Sequence, residues 1–560
     1  MERERLSSSP CQRADPPRDA TTHGPAPHGA GHIERLRHIM EATARKILWV
    51  DDEIEMLKPH MIFLENKGFD VSSATGGDEA LEMLGGEHFD LVLLDEMMVG
   101  IDGLETLGHI KELDPSIPVV MVTKSEEEEL MNDALGRRID DFLIKPVKPT
   151  QVFLAIKRIL DGRKIQADQL AQSYAAEFNE LRSRIMDPMT WEDWIQVYTR
   201  LVSWDLELDR FRDAGLRQTH TDLEQSANVE FARYITEVYH DWVNDESDRP
   251  MLSVDVVERH VAPLLKAKTK TYFVVLDCMR LDHWLSLVPS LEPFFDIENT
   301  YYFSILPTAT PYSRNALFAG KWPIEFTQQF PELWSIPQRD EYSKNRFERQ
   351  MMDRQLMDLG ISLSRDHKYI KIYEKDEADN VRRQMTTLHD KPFVSLVYNF
   401  VDILSHSRSE SEILQEIAPD EPAFRSLVRS WFNHSALYDI MREMGRQGAT
   451  VVVTTDHGAM LGRRAALIRG NRDTSTNLRY KFGSNLGCDE RETFLIRDPA
   501  EYKLPSDGAS KQYAIAKEDY YFVYPTEFHK YERQYRGSFQ HGGISLEEMV
   551  LPCATMVPKP

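Results

Sequence analysis

The sequence predicts an α/β protein in which two α/β regions flank a helical segment, and three observations support this. Short apolar strands alternate with amphipathic helices between residues 46 and 163. Apolar residues between 150 and 255 recur at helical spacing with few glycines or prolines. Beyond residue 270, three apolar strands end in aspartate. In open α/β sheets ligands bind beyond the carboxyl ends of the strands, so these aspartates predict a functional edge.

The composition is that of a large acidic chain. Its 560 residues suffice for two to four domains. Lys and Arg total 67 against 91 Asp and Glu, a formal charge of -24, so bulk attraction to nucleic acid or an anionic membrane is not expected. The cysteines (Cys11, Cys278, Cys488, Cys553) are scattered, which is typical of a reducing compartment. No apolar run reaches about 20 residues, so we expect no membrane insertion and a cytoplasmic protein.

Residues 1–44 are rich in Arg, Pro, His, Ser and Gly and lack apolar periodicity. Such a segment cannot bury enough apolar surface to order itself, so a disordered tail is predicted. Met40 lies just before the first predicted strand and is a second candidate for the translation start, beside Met1.

The first α/β region, residues 45–162, places polar side chains at the ends of its strands. In chain order these residues are Asp51 and Asp52, then Asp95, Thr123, and Lys145 followed by Pro146. The βα alternation predicts a doubly wound parallel sheet of about five strands, which brings these strand ends to one edge. Three carboxylates at one edge need a neutralising cation, which predicts Mg²⁺, while Thr123 and Lys145 are placed to hold phosphoryl oxygens.

These positions resemble the active site of a response-regulator receiver domain. The resemblance implies that a sensor histidine kinase phosphorylates Asp95, and that Lys145 precedes a cis Pro146. It further implies the following roles: Asp51, Asp52, Asp95 and the Met97 carbonyl as Mg²⁺ ligands, with Thr123, Lys145 and Phe142 as switch residues. Val99 stands where the family usually has proline, whereas Gly103 keeps its usual place.

Residues 163–255 predict a helical bundle. Trp191, Trp194, Ile195 and Tyr198 recur at helical spacing, and a similar stripe begins at Phe231. Such stripes form cores more often than ligand sites, so we assign them no chemistry. The position of the bundle between two functional domains suggests that it transmits a dimerisation signal.

The second α/β region, residues 256–560, gathers acids and histidines at strand ends. They are Asp277, Asp402 with His406 four residues later, and Asp456 with His457; His541 lies before the final predicted strand. Carboxylate and imidazole groups converging on one edge predict a metal site. Thr310 with Pro311 predicts a helix start. A hydroxyl near metal and the positive end of a helix dipole is suited to attack an anionic centre. A threonine that only caps the helix is the more common case at such a position.

In sequence order these residues resemble the two-metal site of the alkaline phosphatase superfamily and, more narrowly, a PglZ domain. The motifs are DxxRxD at 277–282, PTAT at 307–310, DxxxH at 402–406, TTDHG at 454–458 and QHGG at 540–543. The resemblance implies one Zn²⁺ held by Asp402, His406 and His541, and a second held by Asp277, Asp456, His457 and Thr310. It also implies Thr310 as the nucleophile, with Thr308 as the alternative.

An insertion between residues 463 and 485 is rich in cationic and aromatic side chains. Its candidate substrate-binding residues are Arg472, Asn477, Arg479, Tyr480 and Lys481. They are suited to grip phosphates or stack bases, but a charged surface loop explains the composition equally well.

A receiver, a helical bundle and a PglZ domain in this order resemble the PorX-type response regulators associated with type IX secretion. The resemblance implies dimerisation on phosphorylation of Asp95 and hydrolysis of phosphodiesters, such as short linear or cyclic oligonucleotides, by two zinc ions. The alternative is a non-catalytic, phosphorylation-switched binding module for a sigma factor or a secretion-system component. A DNA-binding transcription factor is disfavoured by the net charge and by the lack of a recognisable basic helix-turn-helix.

Overall fold

The computed structural model describes residues 45–114, 116–124, 139–210, 213–333, 345–363, 367–471, 474–475, 477–506, 510–526 and 528–560. The chain divides into two compact units, one ending at Asp168 and the other beginning at Gln169. The predicted tail, residues 1–44, lies outside the described residues.

The first unit is built on a parallel five-stranded sheet in the order β2-β1-β3-β4-β5. Its strands are β1 (Arg45–Val50), β2 (Phe69–Ala74), β3 (Leu91–Asp95), β4 (Val119–Thr123) and β5 (Asp141–Ile144). Its described helices are the 3₁₀ turn Ile54–Leu57, α1 (Lys58–Glu65), α2 (Gly77–Gly86), α3 (Gly103–Leu113) and the start of α4 (Pro149–Met186). The predicted doubly wound sheet is confirmed, and all five carboxyl ends lie at one edge.

The inner strands of this sheet are buried on both faces, which explains the apolar runs in β1, β3 and β4. In β1, Leu48 and Val50 pack with one apolar cluster, whereas Ile47 and Trp49 pack with the other. Successive side chains of a strand point to opposite faces, so a continuous apolar run covers both layers of helices.

The helical segment consists of the continuous α4, α5 (Trp191–Leu208) and α6 (Ala214–Asn244). Thr190 and Asp193 form a capping box at the start of α5. Trp194 packs edge-on against Phe231, and Trp242 packs against Phe303 of the C-terminal region. One apolar cluster runs from Leu181 to Met556, so the aromatic stripes are core, as predicted, and α5 and α6 belong to the second compact unit.

The second unit is organised on a six-stranded mixed sheet in the order β7-β19-β10-β6-β9-β8. Its strands are β6 (Thr271–Leu276), β7 (Phe295–Phe303), β8 (His367–Ile372), β9 (Phe393–Tyr398), β10 (Thr450–Thr454) and β19 (Val550–Pro558). Strands β8, β9, β6 and β10 are parallel, and β19 runs antiparallel to β10 and β7. Because β6 lies between β9 and β10, their carboxyl ends meet.

Helices cover this sheet, and smaller sheets extend its functional edge. The helices are the π-turn Val257–Val261, α7 (Ala262–Lys266), α8 (Leu281–Leu291), α9 (Thr310–Ala319), α10 (Pro323–Gln329), the 3₁₀ turn Pro331–Leu333, α11 (Glu348–Asp358), α12 (Lys375–Leu388), α13 (Phe400–Glu410), α14 (Glu412–Ile417), α15 (Glu421–Asn433), α16 (Ala436–Arg446), the 3₁₀ turn Pro499–Tyr502, α17 (Phe528–Tyr535) and α18 (Leu546–Met549). The small strands are β11 (Met460–Leu461), β12 (Arg464–Arg469), β13 (Tyr480–Ser484), β14 (Gly487–Cys488), β15 (Thr493–Ile496), β16 (Lys511–Ala516), β17 (Tyr520–Val523) and β18 (Phe539–Gln540).

The small strands pair as β11-β18, β14-β12-β17 and β13-β16-β15. The described residues of the insertion at 463–485 therefore include β12 and β13, which belong to two small sheets. No helix within the described ranges is both long enough and apolar enough to cross a membrane.

Candidate functional site

The first unit brings the predicted receiver residues together at its carboxyl edge. Ligand oxygens of Asp51, Asp52 and Asp95 all lie within 4.8 Å of one another. The Lys145 ammonium is 2.9 Å from an Asp51 oxygen and 2.8 Å from an Asp95 oxygen. Burial raises the pKa of the Asp95 carboxyl, while Lys145 works in the opposite direction. Three carboxylates facing one ammonium leave excess negative charge, so this residue set fits a divalent cation.

The remaining receiver residues surround this cluster. Thr123 ends β4 and its hydroxyl donates to Glu96. Phe142 is half-buried and packs against the core, whereas the Met97 side chain is exposed, which leaves only its carbonyl as a candidate ligand. The peptide bond between Lys145 and Pro146 is cis, as predicted.

Gly103 has a steric reason for its place in the loop after the phosphoacceptor. A Cβ atom at this position would lie 2.2 Å from the Asp95 carbonyl oxygen and 2.8 Å from the Glu96 Cα. Its amide donates to the Glu96 carbonyl at 2.9 Å. The helix start therefore closes tightly on Asp95 even though Val99, which is exposed, replaces the usual proline.

The second unit brings the six acids and histidines predicted as metal ligands together in two clusters, each with ligand atoms within 4.8 Å of one another. One cluster is Asp402, His406 and His541, and the other is Asp277, Asp456 and His457. Asp402 and His406 lie on one face of α13 because residues four apart in a helix are neighbours. Asp277 follows β6, and Asp456 follows β10 by two residues, so adjacent strands supply the second cluster.

The two clusters are contiguous. The Nε2 atoms of His406 and His541 lie 3.3 Å and 3.7 Å from one Asp402 oxygen. His541 also stacks on His457 with ring centroids 4.3 Å apart. His457 Nε2 in turn lies 3.7 Å from an Asp277 oxygen and 3.6 Å from an Asp456 oxygen. The six ligand candidates therefore form one continuous site, as a two-metal centre requires.

The two candidate nucleophiles occupy different environments. Thr310 begins α9, and its hydroxyl oxygen lies 2.9 Å from His457 Nε2. The Thr308 hydroxyl instead donates to the Gly543 carbonyl at 2.8 Å and accepts from the Gly542 amide at 3.2 Å. Thr308 thus holds the QHGG turn, whereas Thr310 faces the acid and imidazole cluster.

The acids of this site carry oxygens that the described protein groups do not satisfy. One oxygen each of Asp277 and Asp402, and both oxygens of Asp456, are buried without a hydrogen-bond partner among the described residues. Burial, reinforced by the charge of Asp277, raises the pKa of Asp456 to about 7. Burial disfavours the charged form of His457, yet Asp456 and Asp277 outweigh it and raise the pKa of that ring. Because unsatisfied buried carboxylates are costly, the residues present fit divalent metal ions.

Sequence reasoning missed two residues that contact the metal-site acids. Arg314 is fully buried in α9, with its guanidinium 2.5 Å from an Asp277 oxygen and 3.9 Å from an Asp456 oxygen. Its Nε also donates to the buried Glu348 at 2.7 Å. Asn399 donates to the same Asp277 oxygen at 2.9 Å. The available signal for Arg314 was its spacing of four residues from Thr310, which places both on one helix face.

The candidate substrate-binding residues of the insertion are mostly buried. Arg479 is fully buried and pairs with Glu548, which is also fully buried. Tyr480 and Lys481 are buried in β13, and Asn477 is half-buried. Burial lowers the pKa of Lys481 to about 7. Arg472 lies outside the described residues, and the binding role of all five stays a prediction.

Comparison with known families divides the chain into three matched segments. The family described as BREX system PglZ alkaline phosphatase-like domain matches residues 256–556, which is more than half of the chain. The response regulator receiver domain matches residues 47–157, and the PorX response regulator linker domain matches residues 164–243.

Two curated relatives are similar to this chain over about half of their own length. The transcriptional regulatory protein ResD of Bacillus subtilis is 36% identical over 120 residues, covering 21% of this chain and 50% of ResD. The CpxR homolog of Haemophilus influenzae is 41% identical over 117 residues, 20% of this chain and 50% of that protein. The chain thus spans about half the length of these curated relatives. A solved CheY-like receiver from Methanospirillum hungatei is 30% identical and covers 22% of this chain and 99% of its own, with a TM-score of 0.22.

Proposed function

This chain belongs to the PglZ family, as a PorX-type response regulator, and on this premise we propose that it is a zinc-dependent phosphodiesterase controlled by phosphorylation. The observation that carries the proposal is the Thr310 hydroxyl, 2.9 Å from His457 and beside two contiguous clusters of acids and histidines. A purely structural metal site needs no such nucleophile, so this contact favours an enzyme over a binding module.

The chain's own residues divide between holding metal and carrying out chemistry. Asp402, His406 and His541 would hold one Zn²⁺, and Asp277, Asp456, His457 and the Thr310 oxygen would hold the other. Bound zinc would supply Lewis-acid stabilisation of the oxygens that enter and leave phosphorus. Arg314 and Asn399 both bind the same oxygen of Asp277 and so keep this side chain oriented. The other oxygen of Asp277, which has no hydrogen-bond partner among the described residues, would be left for zinc.

Thr310 carries the covalent step. Its hydroxyl oxygen attacks phosphorus, an oxygen–phosphorus bond to the threonine forms, the ester bond to the leaving group breaks, and the hydroxyl proton ends on the leaving oxygen, which departs as the alcohol. Water then hydrolyses the phosphothreonine and returns the free hydroxyl. Thr310 is the first residue of α9, where the positive end of the helix dipole favours an anionic phosphoryl group.

The first unit supplies the control. Asp51, Asp52, Asp95 and the Met97 carbonyl would hold Mg²⁺, and the phosphoryl group transferred from a sensor histidine kinase to Asp95 would contact Thr123 and Lys145. We infer that this modification promotes a homodimer in the cytoplasm. The substrates are short linear or cyclic oligonucleotides, and the activity regulates type IX secretion through a sigma factor or a secretion-system component.

The test is hydrolysis of bis-p-nitrophenyl phosphate by the full chain with and without added Zn²⁺. Thr310→Val is expected to lower kcat by roughly 10³-fold or more, since it removes the nucleophile. Thr308→Val tests the alternative nucleophile, and because this hydroxyl holds the QHGG turn, we expect it to lower turnover, but by much less than Thr310→Val does. Thr327→Val is the matched control because this buried hydroxyl donates only to carbonyls of its own helix α10. Equal turnover by the parent and Thr310→Val would overturn the proposal.

A further inference from the structure

Two residues of the DxxRxD motif do not lie among the metal-ligand candidates. Arg280 binds both oxygens of Asp282, at 2.9 Å and 2.6 Å, and its third nitrogen is 2.6 Å from Glu421. Arg280 and Asp282 are both buried. The motif that begins with Asp277 therefore continues directly into a buried ion-pair group.

Arg425 extends this group to the helical segment. Its Nη1 donates to Asp282 at 2.5 Å and to Asp205 of α5 at 2.8 Å. Its Nε donates to Asp209, at the end of the same helix, at 2.8 Å. Arg425 itself is 2% exposed. A single guanidinium thus bridges α5 to the loop that follows Asp277.

A second bridge joins the helical segment to the other side of the site. Asn228 of α6 donates to both carboxylate oxygens of Glu547, at 3.1 Å and 3.2 Å. The oxygen of its side-chain amide accepts from the Leu546 backbone amide at 2.8 Å. Asn228 is 2% exposed, so these contacts are made away from solvent. Leu546 begins the turn α18, five residues after His541.

The turn held by Asn228 also supports the segment that carries Asp456 and His457. A Cβ atom at Gly458 would lie 1.9 Å from the Glu547 carbonyl oxygen, so the two backbones are in direct contact. The Gly458 amide donates to the Glu548 carbonyl at 3.3 Å. The turn α18, which α6 contacts through Asn228, therefore lies next to His541 of one cluster in the chain and contacts the segment that carries Asp456 and His457 of the other.

We propose that Asn228 and Arg425 are positioning residues of the metal site, through which α5 and α6 set the affinity and geometry of the bound metal. The inference rests on the proposed function in so far as the acids and histidines hold zinc. Groups that orient metal ligands from outside the first coordination sphere typically change metal affinity by about 10- to 100-fold when they are replaced. The helical segment is accordingly part of the catalytic framework and not only a connector.

The test compares variants of the full chain by zinc affinity, measured by competition with a chromogenic chelator, and by the visible absorption of the Co²⁺-loaded protein. Asn228→Leu keeps the volume but removes both contacts, and we expect about 10-fold weaker zinc binding and an altered cobalt spectrum. The double variant Asn228→Asp with Glu547→Gln exchanges acid and amide, restores the contacts and is expected to recover the parent values. Gln225→Leu, an exposed position less than one turn away on α6, is the matched control.

A second variant keeps the test decisive if Asn228→Leu fails to fold. Arg425→Lys preserves the charge but cannot span three carboxylates with one planar fork, so it is also expected to weaken zinc binding and change the cobalt spectrum. Parent-like affinity and spectrum in every folded variant would overturn the positioning role while leaving the hydrolase proposal intact. Absence of zinc binding by the parent chain would overturn both.

Discussion

Thr308 and Thr310 show how two identical side chains, two residues apart, take different roles. Thr308 is fully buried, and its hydroxyl is hydrogen-bonded to the backbone of Gly542 and Gly543. Thr310 is half-buried and points to His457. The Thr308 hydroxyl is committed to holding the QHGG turn, which leaves Thr310 as the hydroxyl that faces the acids and histidines.

At the same scale, Lys481 is expected to destabilise the second unit at neutral pH. Its pKa is lowered by burial to about 7, whereas an unfolded chain has a value of about 10.4. Between these two pKa values the unfolded state therefore binds more protons than the folded state. The loss of free energy of unfolding caused by Lys481 grows as pH falls from about 10.4 to about 7, and stays constant below that. At about 1.4 kcal/mol per pKa unit, Lys481→Met is expected to raise the free energy of unfolding at pH 7 by roughly 2–4 kcal/mol.

Denaturant unfolding of the metal-free protein at pH 7 and at pH 10 checks this expectation. The gain from Lys481→Met should shrink at the higher pH. Lys368→Met, at an exposed position of β8, should change stability little at either pH. A gain of the same size at both pH values would show that packing, and not protonation, is responsible.

Among the elements, the QHGG turn depends most on its neighbours. The Gly543 amide donates to the Glu548 carboxylate at 2.8 Å, and Glu548 pairs with Arg479 next to β13. The Ile544 amide donates to the Ala516 carbonyl of β16 at 2.8 Å. The insertion thus contributes to the site by holding the turn that carries His541, a contribution distinct from the predicted contact with substrate.

Gly543→Ala is expected to disrupt this turn. A Cβ atom would lie 2.3 Å from the Arg479 guanidinium and 2.6 Å from the Ala516 carbonyl oxygen, and the second group is backbone that cannot easily move. We expect a loss of about 1–3 kcal/mol in the free energy of unfolding and reduced zinc retention after dialysis. Gly487→Ala is the control, because its nearest neighbour is an ordinary contact at 3.7 Å. Parent-like stability and zinc content for Gly543→Ala would contradict this account.

For the whole molecule, the two compact units have separate apolar cores and separate candidate metal sites. Helix α4 runs without interruption from residue 149 to residue 186 and so belongs to both units. Chemistry at one site can therefore be altered without removing the ligands of the other, which allows the regulatory proposal to be tested separately from catalysis.

Asp95→Ala is expected to weaken self-association in the presence of Mg²⁺ and beryllofluoride, a phosphoryl mimic, because it removes the acceptor carboxylate. Zinc content should stay at the parent level, since no zinc-ligand candidate lies in the first unit. Sedimentation velocity and elemental analysis measure the two quantities. Asp70→Ala, at an exposed position of β2, is the control. Dimerisation of Asp95→Ala as readily as the parent would contradict the proposed switch.

The strands and the residues at their ends were predictable from local sequence patterns. Apolar runs such as Ile47–Val50 and Val451–Val453 are local signals, and the rule that ligands collect at the carboxyl ends of parallel strands brought Asp51 to Asp95 and Asp277 to Asp456. His541 lies on no such strand, and only the family resemblance predicted that it lies close to Asp402.

Only the tertiary structure decided the roles of Arg314, Arg425, Asn228 and Arg479. Each is a polar residue whose local sequence fits an exposed helix or loop, yet each is buried and paired with a carboxylate. Periodicity records which face of an element is apolar, but it does not record which distant charge a side chain meets. A buried charge or amide is stable only with a partner, and here the partners are distant in the chain: Asp277 lies 37 positions from Arg314, and Glu547 lies 319 positions from Asn228.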